Sequence, residues 1–136
     1  MAYDAAHHLV VLFGGYAGGP GGGPNDTWTW DGNQWQQRRP QTNPPGGPAF
    51  AAYDAVRQQV VLFVEGQTWT WDGTNWTQQH PALSPCQRLF ASMAYDPAIG
   101  KVVLFGGKSM FFTPGSTTDI NNELWSWDGS NWKQEA

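Results

Sequence analysis

The stretch Trp28-Thr29-Trp30-Asp31-Gly32-Asn33-Gln34-Trp35 is written three times along this chain. It returns as Trp69-Thr70-Trp71-Asp72-Gly73-Thr74-Asn75-Trp76, and again as Trp125-Ser126-Trp127-Asp128-Gly129-Ser130-Asn131-Trp132. Side chains alternate across a strand, so Trp-x-Trp places two indoles on one face. Asp-Gly then reverses the chain: Gly takes the positive φ of a tight turn, and Asp bonds nearby backbone. The third Trp opens the returning strand. All nine tryptophans fall in these three sets.

The repeat reaches further upstream. Met1-Ala2-Tyr3-Asp4 matches Ala51-Ala52-Tyr53-Asp54 and Met93-Ala94-Tyr95-Asp96, and after five intervening residues come Val10-Val11-Leu12-Phe13, Val60-Val61-Leu62-Phe63 and Val102-Val103-Leu104-Phe105. The three tyrosines are 50 and 42 residues apart. An all-β repeat of this period is the signature of a propeller blade, one four-stranded sheet per repeat. In each, strand a ends in Tyr-Asp and strand b is the Val-Val-Leu-Phe run, apolar throughout and so expected to be covered on both faces. Strand c carries Trp-x-Trp, and strand d begins at the third Trp. One domain over 1–136 is predicted, with blades at about 1–40, 47–81 and 89–136. The first blade has fewer residues before its Tyr than the others, and a clipped inner strand is expected there.

Composition agrees with many short strands. Aromatics make 15% of the chain and charged residues 13%, about half the usual share. The 17 glycines and 10 prolines cluster between the apolar runs. A net charge of −4 with no basic run argues against nucleic acid as a partner. No apolar run could span a bilayer and no signal peptide is visible, so a soluble protein of open compartment is expected. One cysteine, Cys86, rules out an intrachain disulfide.

An apolar run closed by Gly14-Gly15 or Gly106-Gly107, with the tryptophan set downstream, resembles the kelch repeat, the kind that builds the central propeller of galactose oxidase. The resemblance covers nearly the whole chain. It implies a kelch-type β-propeller of four-stranded antiparallel blades, with protein or peptide binding as the commonest role. Blade two departs from it: Val64-Glu65 stands where the double glycine belongs, and a tight hairpin is expected over Glu65-Gly66-Gln67.

Three blades leave two uncovered apolar faces, whereas closed propellers have 4–8 blades. Two copies would complete a six-bladed ring, blade three of each packing on blade one of the other in a heterologous contact that closes. The other reading is that the chain is half of a longer six-bladed protein, or a product of blade duplication, natural or engineered, with no ligand.

The b–c loops vary in length, spanning 16–24 and 108–121 in blades one and three, and with the Pro-rich linkers at about 37–48 and 79–89 they emerge on one face. Variable loops on a rigid scaffold are where binding usually resides. That face carries Tyr16, Arg38, Arg39, His80, Arg88 and Met110-Phe111-Phe112 as candidate binding residues. Met110-Phe111-Phe112 is the one apolar string the repeat leaves unexplained; folding back over the disc and contacting a partner both remain open.

No catalytic residue, metal site or cofactor is predicted. The copper of galactose oxidase is held by two tyrosines and two histidines. Here Tyr3, Tyr53 and Tyr95 belong to the repeat, His7 and His8 fall in the a–b turn, and His80 and Cys86 lie in a linker at the opposite face. Glu65, Glu123, Asp26 and Asp119 sit near the b–c loops, yet Asp26 and Glu123 align at the start of strand c, where the repeat explains them. Asp31, Asp72 and Asp128 are turn residues, similar to the Asp-box of sialidase-like propellers. Cys86 is expected to be a partly buried apolar residue. The expected function is a non-catalytic scaffold binding a protein or peptide on the loop face, with a carbohydrate-binding module as the alternative, since aromatic platforms stack on sugar rings.

Overall fold

The computed structural model describes residues 1–15, 23–109 and 120–136. Among them there is no helix. The chain forms three four-stranded antiparallel sheets, each a simple meander whose spatial order follows the sequence. Sheet 1 contains β1 (Ala2–Asp4), β2 (Leu9–Phe13), β3 (Thr27–Trp30) and β4 (Trp35–Arg38). Sheet 2 contains β5 (Ala49–Asp54), β6 (Gln59–Val64), β7 (Gln67–Trp71) and β8 (Trp76–Gln79). Between sheets 2 and 3 lies β9 (Arg88–Leu89), and sheet 3 contains β10 (Ser92–Asp96), β11 (Lys101–Phe105), β13 (Leu124–Trp127) and β14 (Trp132–Gln134). The short β12 (Lys108–Ser109) pairs with β9 to make a small two-stranded sheet. The first strand of sheet 1 has 3 residues against 6 and 5 in its counterparts.

Local chemistry fixes one register three times. Val10 faces Trp30, Val60 faces Trp71 and Val102 faces Trp127. The hairpins that follow pair Trp30 with Trp35, Trp71 with Trp76 and Trp127 with Trp132. In each turn the aspartate Oδ1 accepts two backbone N–H groups at 2.8–2.9 Å, those of Asn33 and Gln34, Thr74 and Asn75, or Ser130 and Asn131. The following glycine has φ of 97–99° in every copy, a conformation closed to most residues with a Cβ. The a–b turns are equally repeated. Asp4 and Asp54 cap backbone N–H groups two and three residues on, Asp96 caps Ala98, and His8, Gln58 and Gly100 take the left-handed position. His8 therefore serves the turn.

The sheets pack face to face, closest along their first strands. One core layer joins Val11 and Phe13 of sheet 1 to Val60, Leu62, Val64, Trp69, Trp71 and Trp76 of sheet 2. The next joins Ala52, Val61 and Phe63 of sheet 2 to Val102, Leu104, Trp125, Trp127 and Trp132 of sheet 3. Sheets 2 and 3 thus turn a tryptophan face toward the preceding sheet, and sheets 1 and 2 a phenylalanine face toward the following one. Of the three second strands only β6 is covered on both faces, and its Val60 through Val64 are all buried. In β2 and β11 the coverage is one-sided: Val10 and Leu12 are half-buried and Phe105 is exposed. The expected two-sided burial of the apolar strands holds in the middle sheet alone, because only that sheet has a neighbour on each side.

The hairpin expected in sheet 2 forms, with Val64 paired to Gln67 around Glu65 and Gly66. Both turn residues have positive φ, 51° and 73°, the requirement of a type I′ turn. Left-handed geometry persists there without the double glycine, and Glu65 carries it as a residue with a Cβ.

Candidate functional site

At one end of the molecule, by the start of β5 and the residues leading into β10, lies a cleft of about 700 Å³ lined by Gly15, Pro48, Ala49, Phe50, Leu89 and Phe90. Not one of these side chains is polar. Phe90 is 82% exposed and holds φ at 58°, so a large ring stands in solvent on a backbone that disfavours it. The register brings the end of each second strand beside the starts of the first and third, so the cleft opens on the end that carries the b–c loops and linkers.

The linker beside the cleft is tied down. Leu89 pairs with Lys108, and a Cβ at Gly107 (φ 98°) would lie 2.7 Å from the Leu89 carbonyl oxygen. The second glycine of the pair is needed for that approach. Next to it Arg88 is buried, and its guanidinium donates to the carbonyls of Cys86 and Gly106, both at 3.0 Å, and to Glu123 Oε2 at 2.9 Å. Glu123 Oε2 also accepts the Trp125 indole N–H at 3.0 Å. That indole first, and Arg88 second, hold the Glu123 carboxyl below the usual carboxylate range.

The residues singled out from the sequence do not gather at one place. Arg88 borders the cleft, but its guanidinium is spent on the interior. Arg38 ends β4 and its Nε donates to Thr29 Oγ1 at 2.8 Å. Arg39 and His80 are exposed and follow β4 and β8, the fourth strands, at the opposite sheet edge from the cleft. Tyr16, Met110, Phe111, Phe112 and Asp119 lie outside the described residues. Phe90 escaped notice because it falls just past the linker, among residues assigned to the third repeat's first strand. The signal was its place in the repeat, where the second copy has Pro48.

The remaining candidates have structural tasks. Asp26, Gln67 and Glu123 each accept the indole N–H of the tryptophan two residues on, at 2.6, 3.0 and 3.0 Å. His7 Nδ1 bonds the buried Asp4 carboxylate at 2.8 Å, as Arg57 bonds Asp54 at 2.9 Å. Glu65 accepts from the side-chain amide of Gln87. Cys86 is exposed, contrary to the partial burial expected, because the linker carries it outward while Arg88 turns in; its Sγ lies 3.4 Å from Arg88 Nη2. Among the described residues no three of His, Cys, Asp and Glu come together as a metal-binding group. Among the same residues no helix is long and apolar enough to cross a membrane.

No protein-family model matches the chain, and no curated protein sequence matches it.

Proposed function

We propose that the chain is three blades of a kelch-type propeller, two copies completing six, and that it works as a non-catalytic interaction scaffold. The cleft at the loop end is the seat of binding, and its occupant is an apolar side chain of a protein or peptide. The observation that carries this reading is the lining: Phe50, Leu89 and the exposed Phe90 around a hollow with no polar side chain among its described lining residues. Such a hollow rewards apolar burial at about 25 cal/mol per Å². Its described lining has no side chain for orienting a hydroxyl-rich sugar, and no carboxylate or imidazole for acid–base work, which favours binding of a peptide side chain over carbohydrate binding or catalysis.

The test is selection from a displayed random-peptide library against the wild-type chain and Phe90→Asp. Peptides with an aromatic or branched aliphatic anchor should be enriched by the wild type and lost from the variant, with NMR shifts at Gly15, Phe50 and Leu89 on binding. A thermal shift of several degrees with one class of sugar and no peptide enrichment would overturn the reading.

A further inference from the structure

The joint between sheets 1 and 2 and the joint between sheets 2 and 3 are the same joint. In both, a phenylalanine of the second strand meets the edge of the next sheet's hairpin tryptophan: Phe13 and Trp76 at 5.5 Å and 70°, Phe63 and Trp132 at 6.0 Å and 78°. In both, that tryptophan donates its indole N–H at 2.8 Å to the threonine just before the first tryptophan of the preceding sheet's third strand, Thr27 or Thr68. In both, a side chain from the a–b turn covers the glycine of the next sheet's Asp-Gly turn, His7 over Gly73 and Arg57 over Gly129.

Both halves of a third such joint stand uncovered at the two ends of the chain. On the tryptophan face of sheet 1, Trp35 is 45% exposed where Trp76 and Trp132 are 1% and 2% exposed, and no described atom comes within 4 Å of a Cβ placed on Gly32. On the phenylalanine face of sheet 3, Phe105 is 54% exposed against 6% and 1% for Phe13 and Phe63, and Ile99 is exposed at the position of His7 and Arg57. Leu124 replaces the threonine.

We infer that these end faces bind each other between two copies of the chain, in the register of the internal joints: Trp35 of one copy edge-on against Phe105 and Leu124 of the other, with Ile99 over Gly32. The occupant is a second copy because the contact continues an interface the chain already builds twice, and each face is the missing half of the other. The exchanges make chemical sense at a boundary between chains. Leu124 and Ile99 put apolar groups where the internal joints use a hydroxyl and a charge or imidazole, which adds apolar area to the interface; Leu124 offers no acceptor, so the Trp35 indole N–H needs a partner other than the threonine used inside the chain. The register rests on the internal joints; the closure at two copies rests on the ring reading above.

The face-to-tail register predicts a complementation. Trp35→Asp and Phe105→Asp should each run at the mass of one chain, 15.0 kDa, where the wild type at micromolar concentration runs at twice that. Mixing the two variants should restore the double mass, because the untouched Phe105 of one meets the untouched Trp35 of the other. Trp35→Phe should keep the pair, and a cooperative melt of each variant checks that it is folded. A wild type that stays at one chain mass overturns the inference, as does a folded Phe105→Asp that still pairs, or a mixture of folded variants that does not. A ladder of masses beyond two overturns the closed pair. Peptide capture at the cleft, measured on the same samples, reads the scaffold proposal separately.

Discussion

The indole N–H of Trp132 reaches across to Thr68 Oγ1 at 2.8 Å, joining residues 64 positions apart from neighbouring sheets. Both groups are buried, so the bond has no competition from water. A tryptophan that only filled space could slide along the facing sheet. One that must also satisfy its N–H stays in register, and the whole sheet is located with it.

Thr68→Val tests that bond. The substitution keeps the shape and leaves a buried indole N–H unpaired, so we expect a loss of about 1–3 kcal/mol. Urea unfolding should show a lower midpoint at unchanged slope. A change within error would mean that the indole finds another acceptor.

The three hairpin tryptophans are equivalent in sequence and unequal in setting. Trp76→Ala empties a packed site and should cost about 3–5 kcal/mol. Trp35→Ala removes a half-exposed ring from an uncovered face and should cost the single chain less than half as much. The two variants, compared by denaturant unfolding at concentrations where the chain is solitary, should differ in that order.

That inequality marks where sequence reading stops. Strand order and turns were legible, because alternation and Asp-Gly chemistry act within a few residues of Trp28, Trp69 or Trp125. Which copy of a repeated residue is buried depends on which sheets have neighbours, and no local pattern in Phe63 separates it from Phe105. At the loop end the reading by residue type picked Arg88 as a surface cation, yet Glu123 and two carbonyls hold it inside. Those partners come from distant segments. The cleft was illegible for the same reason, since Gly15, Phe50 and Phe90 come from three separate parts of the chain.

The Arg88–Glu123 pair should leave a pH signature. The folded carboxyl is held below its ordinary value of 4.5, so its contribution is present in full above that pH. It is lost as pH falls through the lower folded value, where the carboxyl takes up its proton. Glu123→Gln should therefore flatten the acid limb of the stability–pH curve. It should also destabilise the chain at neutral pH by about 1–2 kcal/mol, a modest figure because the Glu123 side chain is 31% exposed and Arg88 keeps its two carbonyl partners. Thermal melts from pH 3 to 7 on both proteins measure the difference. Parallel curves would show that the pair does not titrate with folding.

Glu65 offers the opposite prospect, a gain. Its φ of 51° places a residue with a Cβ in the left-handed region, at a cost of roughly 1 kcal/mol that glycine or asparagine would largely avoid. Against this stands one exposed hydrogen bond from Gln87, which contributes little in water. Glu65→Asn, which creates the pair preferred in type I′ turns ahead of Gly66, should therefore stabilise the chain by about 0.5–1 kcal/mol. Glu65→Ala loses the same hydrogen bond and keeps the strain, so it should not stabilise. If denaturant midpoints rank Ala at or above Asn, backbone strain at Glu65 is not what limits this hairpin.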